Sequence, residues 1–481
     1  MNRRMVLYMV GSVIKIEALL MLLPLIVSLI YSEKASAVSF LISIAIALAL
    51  GFAMTLIVKP GSKVIYAKEG FVTVALSWLF LSLVGSLPFV ISGEIPSFID
   101  AFFESVSGFT TTGASILTDV EAMSHGLLFW RSFTHWVGGM GVLVFVMAII
   151  PSFSDRSIHL LRAEVPGPVV GKLVPKLRQT ARILYIIYIA LTLIEIILLL
   201  IGKMPLYDSI VHAFGTAGTG GFGIKGDSIG SYNSYLQWII TVFMLLFGVN
   251  FNLYYFIIMG KIKTALKSTE LWVYLGLVMG STALITINIL PFFESFSSSL
   301  KHAAFQVASI ITTTGYATTD FDKWPVFSKT ILLLLMFIGA CAGSTGGGIK
   351  VSRVVMLIKN CKRELQRMLH PRSVAVVRFE GKRVDNTTIN AVSSYLAIYT
   401  LFFCLIVFII GIENFDLETN ISAVAACFNN IGPGFGRVGA AMNYSEFSGL
   451  SKIVLSIAML LGRLEIYPII LTLSPSTWSK K

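Results

Sequence analysis

Three stretches constrain this chain more than any other feature: LYMVGSVIKIEALLMLLPLIVSLIY at 7–31, SFLISIAIALALGFAMTLIV at 39–58 and ILYIIYIALTLIEIILLLI at 183–201. Each approaches or exceeds the roughly 20 residues that cross a bilayer as a helix. Composition agrees, with 56% of residues hydrophobic and 13% charged, against about 25% charged in an average soluble domain. A chain so poor in polar groups needs an apolar solvent, and it reads as an all-α polytopic membrane protein. The first stretch begins with Arg3 and Arg4, as a signal peptide would. It is longer than an h-region and lacks a clear cleavage site, so it is expected to remain as a helix.

The formal net charge is +12, but its placement argues against nucleic acid. With the spans taken in order, basic residues fall in alternate loops. One set holds Arg3, Arg4, Lys59, Lys63, Lys68, the 152–182 segment, Lys261, Lys263, Lys267, the 350–383 segment, Lys480 and Lys481. The opposite loops carry Asp119, Glu121, Asp320, Asp322, Glu413, Asp416 and Glu418. This positive-inside pattern puts both termini on the cytoplasmic side. Cys341, Cys361, Cys404 and Cys427 form no CxxC or His/Cys ligand spacing. The six histidines (125, 135, 159, 212, 302 and 370) are scattered singly, which favours packing or surface roles over metal binding.

The chain repeats itself, a signal that outranks local patterns. FESVSGFTTTGAS contains Gly113, VHAFGTAGTGGFG can be aligned on Gly220, FQVASIITTTGYA contains Gly315, and AVAACFNNIGPGFG contains Gly432. Before each glycine comes a hydrophobic span, at 70–92, 183–203, 271–291 and 390–412. A half-length amphipathic segment follows, at about 98–112, 206–219, 298–314 and 417–431. A second span closes each unit, at about 127–150, 236–259, 328–357 and 451–474. Two further spans, within 5–58, precede the units. A segment of about 15 residues is too short to cross but suits a re-entrant helix. Its irregular tail is tolerable only inside protein or beside a water-filled cavity. Four such tails in one chain are expected to converge on one axis.

Threonine and glycine suit a cation path there. Dehydrating a cation requires oxygens that replace its water shell, and rings of backbone carbonyls supply them. Threonine adds hydroxyl oxygens and a stiff β-branched backbone. Glycine admits positive φ, and an inward half-helix aims its negative end at the cation. The expected ion-binding residues are Thr110, Thr111, Thr112 and Gly113; Ala217, Gly218, Thr219 and Gly220; Thr312, Thr313, Thr314 and Gly315; and Asn429, Asn430, Ile431 and Gly432. The second and fourth sets depart from the Thr-Thr-Thr-Gly pattern, so the filter is expected to be short and its preference for potassium over sodium less strict. Tyr316 is expected to brace its loop, and Asp320 and Asp322 to lie at the external mouth.

On these loops the sequence resembles the TrkH/TrkG/KtrB group of potassium uptake proteins, over essentially the whole chain. The two additional N-terminal spans are more similar to TrkH and TrkG than to KtrB. The resemblance implies four fused M1–P–M2 units with a pseudo-fourfold pore. The units are drawn as 1–69 (two N-terminal helices), 70–177, 178–268, 269–387 and 388–481. It further implies potassium uptake across a prokaryotic cytoplasmic membrane and a homodimer with one pore per subunit. A cytoplasmic TrkA-type regulator would carry any nucleotide, and this chain would bind no cofactor beyond the transported K⁺.

Residues 339–353, GACAGSTGGGIKVSR, are glycine-dense enough to destabilise a helix, at about 1 kcal/mol for each glycine relative to alanine. A phosphate loop is excluded, because Ile349 separates Gly348 from Lys350. Close packing through small residues and a helix break beneath the filter both remain open from the residues alone. The resemblance favours the break: it implies an intramembrane gate at Gly343, Ser344, Thr345, Gly346, Gly347 and Gly348. In LLGRLEIYP, Arg463 and Glu465 interrupt an apolar run. An intramembrane arginine faces a cavity or a partner; Arg463 could form a structural pair, act as an electrostatic barrier or anchor the glycine-rich loop, and the resemblance places a basic residue in the pore here. Arg131, in WRSFTHW, is expected to snorkel or pack.

An enzyme would need converging nucleophile, base or metal ligands, and none is seen. The remaining alternative is a proton- or sodium-coupled potassium symporter. It would need a membrane carboxylate, for which Glu17, Glu104, Glu195 and Glu465 are the candidates.

Overall fold

The structure, a computed structural model, describes residues 1–58, 66–141, 177–373 and 375–478. Lys59, Lys63, most of the 152–182 segment, the last part of the span expected to 150, His159, Lys480 and Lys481 lie outside the described residues. Helices dominate throughout. Six of those described are long and apolar enough to cross a bilayer, or seven if one bent pair counts as a single span. Their outward residues, such as Leu401 and Phe408, are large, apolar and exposed, as lipid-facing side chains are.

The N-terminal pair comprises a kinked helix, Arg3–Ile30, and Lys34–Ile57. They cross closely where Gly11 and Gly51 meet, each glycine facing the other's carbonyl oxygen. Small residues let helix backbones approach in this way.

Four units follow, with the element order read from the repeats. The first spans are Ala67–Ser92, Leu177–Ile201, Thr269–Ile289 and Asn386–Ile410. The half-helices are Phe98–Phe109, Leu206–Gly218, Phe296–Ile311 and Leu417–Phe428. Three of them start at a side-chain cap: Ser97 accepts from Asp100 N–H, Ser295 from Ser298 N–H and Asp416 from Thr419 N–H. Pro205 precedes the remaining one, Leu206–Gly218. These residues satisfy otherwise orphaned donors or remove one.

No second span continues as one straight helix; the break in the third unit falls at the glycine-rich segment, as expected, while those in the other three differ from expectation. In the first unit the helix His125–Gly139 ends at Met140. In the second, Ser234–Phe247 gives way to Phe251–Ile258 at a 91° bend. In the third, Val326–Phe337 stops, Ile338–Gly339 pairs in parallel with Ile349–Lys350, and Val351–Leu369 resumes. In the fourth, Gly449–Arg463 is separated from Tyr467–Leu473 by Glu465 and Ile466, both with positive φ. Gly138 and Gly462 pack against the carbonyls that end the first and fourth half-helices, at Phe109 and Phe428.

Candidate functional site

Each half-helix ends in the same reversal. Thr111, Thr219, Thr313 and Asn430 adopt positive φ of 54°, 54°, 60° and 56°. Their N–H groups bond the carbonyls three residues back, at Gly108, Thr216, Ile310 and Cys427. The next N–H in each case bonds five residues back: Thr112 to Ser107, Gly220 to Gly215, Thr314 to Ser309 and Ile431 to Ala426. This pair of bonds is the Schellman termination, a position usually given to glycine. Placing β-branched threonine there costs about 1–3 kcal/mol each and persists only where the surroundings impose it.

Two residues after the reversal, φ becomes positive again, at Gly113, Gly221, Gly315 and Gly432. The second loop is therefore in register on Gly221, one residue later than the Gly220 alignment expected. Ala217 and Gly218 still belong to the half-helix, and the set equivalent to Thr110–Gly113 runs Gly218, Thr219, Gly220, Gly221. The four glycines also define a closed ring. A Cβ on Gly113 would collide with the carbonyl oxygen of Gly220, one on Gly221 with that of Thr314, and one on Gly315 with that of Ile431. A Cβ on Gly432 would meet the carbonyl of Thr112, which returns the ring to the first unit. At each junction a glycine of one unit touches the carbonyl preceding the glycine of the next.

The outer threonine hydroxyls of each triplet are turned into the loops. Thr110 and Thr112 share a 2.8 Å hydrogen bond, as do Thr312 and Thr314. Thr110 and Thr312 also bond the helix carbonyls of Val106 and Ala308. Thr112 accepts from the Asn430 amide at 3.0 Å, so the asparagine of the divergent fourth loop ties it to the first. The hydroxyls of these outer threonines are thus committed to loop structure. Tyr316 braces a neighbouring loop, donating towards Phe222 O at 3.2 Å.

The 339–350 segment packs beneath this ring. A Cβ at Gly346 would lie 2.9 Å from Thr312 O, and one at Gly347 would lie 2.6 Å from Asn429 O. Gly347 N–H donates to Thr313 Oγ1 at 2.7 Å, and Arg463 Nη1 donates to Thr345 O at 2.7 Å. Arg463 Nη2 meanwhile donates to Gly138 O and Gly139 O, both at 2.6 Å. The guanidinium therefore binds the negative C-terminal end of the first unit's helix as well as the loop. Gly343 O accepts from Phe251 N–H, and Ser344 turns back on Cys341 O. Gly348 has a φ of 67° where the chain passes Gly339.

Three residues that the sequence reading passed over complete this arrangement. Lys350, fully buried, donates to Gly346 O and to Gly347 O. Glu270 clamps both ends of the segment, accepting from Ala342 N–H at 2.8 Å and Ser352 N–H at 3.0 Å. Arg353 pairs with Glu465 at 2.6 Å. Their sequence separations gave no hint of these contacts. Of the two roles expected for Arg131, the structure shows packing: it is buried against Glu104 at 2.7 Å. Cys341 and Cys427 are buried while Cys361 and Cys404 are exposed. Among the described residues no group of His, Cys, Asp and Glu could hold a metal ion.

These elements define a multi-pass helical membrane protein whose four broken-helix units close a ring of glycine loops over a packed glycine-rich segment. A family model described as TrkH, cation transport protein, matches residues 36–481. The chain is 35% identical over 480 residues to the Trk system potassium uptake protein TrkG of Escherichia coli, covering 99% of this chain and 98% of that one. It is 36% identical over 496 residues to the Trk system potassium uptake protein TrkH of Vibrio parahaemolyticus, covering 99% of this chain and all of that one. The crystal structure of the potassium transporter TrkH from Vibrio parahaemolyticus matches with a TM-score of 0.90 at 32% identity, over 100% of both chains. The chain belongs to the TrkH family.

Proposed function

We propose that this chain takes up potassium across the cytoplasmic membrane of a prokaryote, through the ring of four loops, and that it is not an enzyme. The observation that carries the reading is the closed ring in which each glycine touches the next unit's carbonyl. Carbonyls at Thr112, Gly220, Thr314 and Ile431 would replace the hydration shell of K⁺, which is the transported ion and not a resident cofactor. Thr110 to Gly113, Gly218 to Gly221, Thr312 to Gly315 and Asn429 to Gly432 would form the filter. Relatives named as potassium uptake proteins support the choice of ion.

The segment Gly343 to Gly348 would be the gate. Its backbone fills the space below the third and fourth loops, and Arg463 and Lys350 hold it there. The gate runs directly into the helix Val351–Leu369, whose Lys362 and Arg367 are exposed. A TrkA-type cytoplasmic partner that binds the nucleotide, assembled against this basic face, could pull the segment from the ring. A homodimer in the bilayer with both termini cytoplasmic completes the proposal.

One observation keeps the proton- or sodium-coupled symporter as a second reading. Glu104 and Glu465 are committed to Arg131 and Arg353. Among the described residues Glu17 is buried with no hydrogen-bond partner, and Glu195 is buried beside Thr216. Flux of Rb⁺ into liposomes of purified protein, with H⁺ and Na⁺ gradients clamped at zero, separates the two readings. Uptake that stops without either gradient would select the symporter.

A further inference from the structure

The four loops are backed by different chemistry. The half-helix residue nine positions before each ring glycine is Glu104, His212, Gln306 or Ala423. Only the first is charged, and it faces Arg131 from the second span of its own unit, with side-chain exposures of 0% and 2%. Removing two charges from water is expensive, and the arrangement endures only when the remaining donors and acceptors are filled. Here they are filled by the loops themselves. Glu104 Oε1 accepts from Arg131 Nε at 2.7 Å and from Ser115 Oγ at 3.0 Å, and its Oε2 accepts from Ile116 N–H at 3.0 Å. Arg131 Nη2 donates to Ser115 Oγ at 3.2 Å, and Nη1 crosses to the second unit, donating to Gly223 O at 3.2 Å. The guanidinium also lies 3.8 Å from the Phe222 ring centroid, an attractive stacking geometry. Ser115 O in turn accepts from Tyr444 N–H, and the Tyr444 hydroxyl donates to Gly432 O, both at 2.8 Å.

Ser115 and Gly223 each follow their ring glycine by two residues. The pair thus ties the first loop to the second at the mouth opposite the plug, and reaches the fourth through Tyr444. We propose that Glu104 and Arg131 form a positioning pair that sets the spacing between the first and second loops and thereby the discrimination between K⁺ and Na⁺. The reading rests on the loops being the filter. Selectivity by carbonyls depends on how many oxygens can follow the ion and how firmly they are held. A planar fork that reaches two loops fixes their separation, whereas an ammonium on a flexible stem does not. The unequal backing also gives the ring one stiff quarter, because Ala423 supplies no comparable bond.

The test compares wild type, Arg131→Lys and Ser115→Ala as full-length protein in liposomes, reading Rb⁺ tracer uptake against increasing Na⁺. Arg131→Lys keeps the charge next to Glu104 but loses the bonds to Gly223 O and Ser115 Oγ. The Na⁺ concentration that halves Rb⁺ uptake is expected to fall by about threefold to tenfold, on the scale of one or two lost hydrogen bonds. A purely structural role would lower the amount of active protein and leave that concentration unchanged, and this result overturns the proposal. If the lysine variant does not fold, Ser115→Ala decides, with a shift in the same direction expected and an unchanged concentration counting against the pair. Wild-type protein that shows no preference for Rb⁺ over Na⁺ would instead sink the filter reading, and the proposal with it.

Discussion

Replacing Arg463 by glutamine tests the plug most sharply. The guanidinium makes three bonds to carbonyl oxygens, but only the one to Thr345 O, at 2.7 Å, holds the segment below the ring. The other two, to Gly138 O and Gly139 O, fix the end of the first unit's helix. A hydrogen bond from a charged donor contributes about 1.5–3 kcal/mol. Removing the Thr345 bond alone would raise the open population by roughly tenfold to a hundredfold, since about 1.4 kcal/mol is a factor of ten. The lower end is expected, because Lys350 and Thr313 still hold Gly346 and Gly347, and Glu270 still clamps both ends. Loss of a positive charge next to a cation path acts in the same direction. The assay is Rb⁺ tracer uptake into liposomes without nucleotide or partner protein, normalised to folded protein by size-exclusion chromatography. Uptake per molecule should rise about tenfold. Unchanged or reduced uptake in a monodisperse variant would refute the argument that Arg463 restrains the plug.

The register of the second loop predicts that Gly221→Ser weakens K⁺ over Na⁺ discrimination as Gly315→Ser does, because either side chain collides with a neighbouring carbonyl at a positive φ. Competition of Na⁺ against Rb⁺ uptake checks this, and a wild-type ratio for the Gly221 variant alone would reject the register. Asp416→Ala should lower the thermal midpoint of the purified protein, by removal of a helix cap worth about 1 kcal/mol. The hydroxyl and N–H of Thr419 donate to Asp416 and hold its carboxyl below the usual carboxylate range. That stabilisation is present above the unfolded value of about 4 and is lost as pH falls through the lower folded value. The midpoints of wild type and variant should therefore differ at neutral pH and converge in strong acid; a constant gap would contradict the cap's ionisation.

Much of this was legible in the residues. Long apolar runs announced the spans, and four Thr-Gly segments in similar contexts announced the half-helices, because both signals are local. The exact register of GTAGTGGFG was not legible, since several glycines compete there and only φ at Thr219 and Gly221 selects among them. The breaks in the second spans of the first, second and fourth units were not legible. Near two of them Gly138 and Gly462 meet carbonyls of the half-helices, in contacts between distant segments. The pairing of Arg131 was not legible because its partner lies 27 residues away, on another element. The contacts of Lys350 and Glu270 were not legible because they form only where the glycine-rich segment folds back between them.

The central claim is that K⁺ moves through the glycine ring down its own electrochemical gradient. An inside-negative potential supplies about 2.3 kcal/mol per charge for each 100 mV. The most direct measurement imposes such a potential on liposomes of the purified protein, with H⁺ and Na⁺ held equal on both sides, and follows Rb⁺ uptake with and without competing Na⁺. Uptake driven by the potential alone, and resistant to Na⁺, is the predicted result. Uptake that appears only when a H⁺ or Na⁺ gradient is added would contradict it.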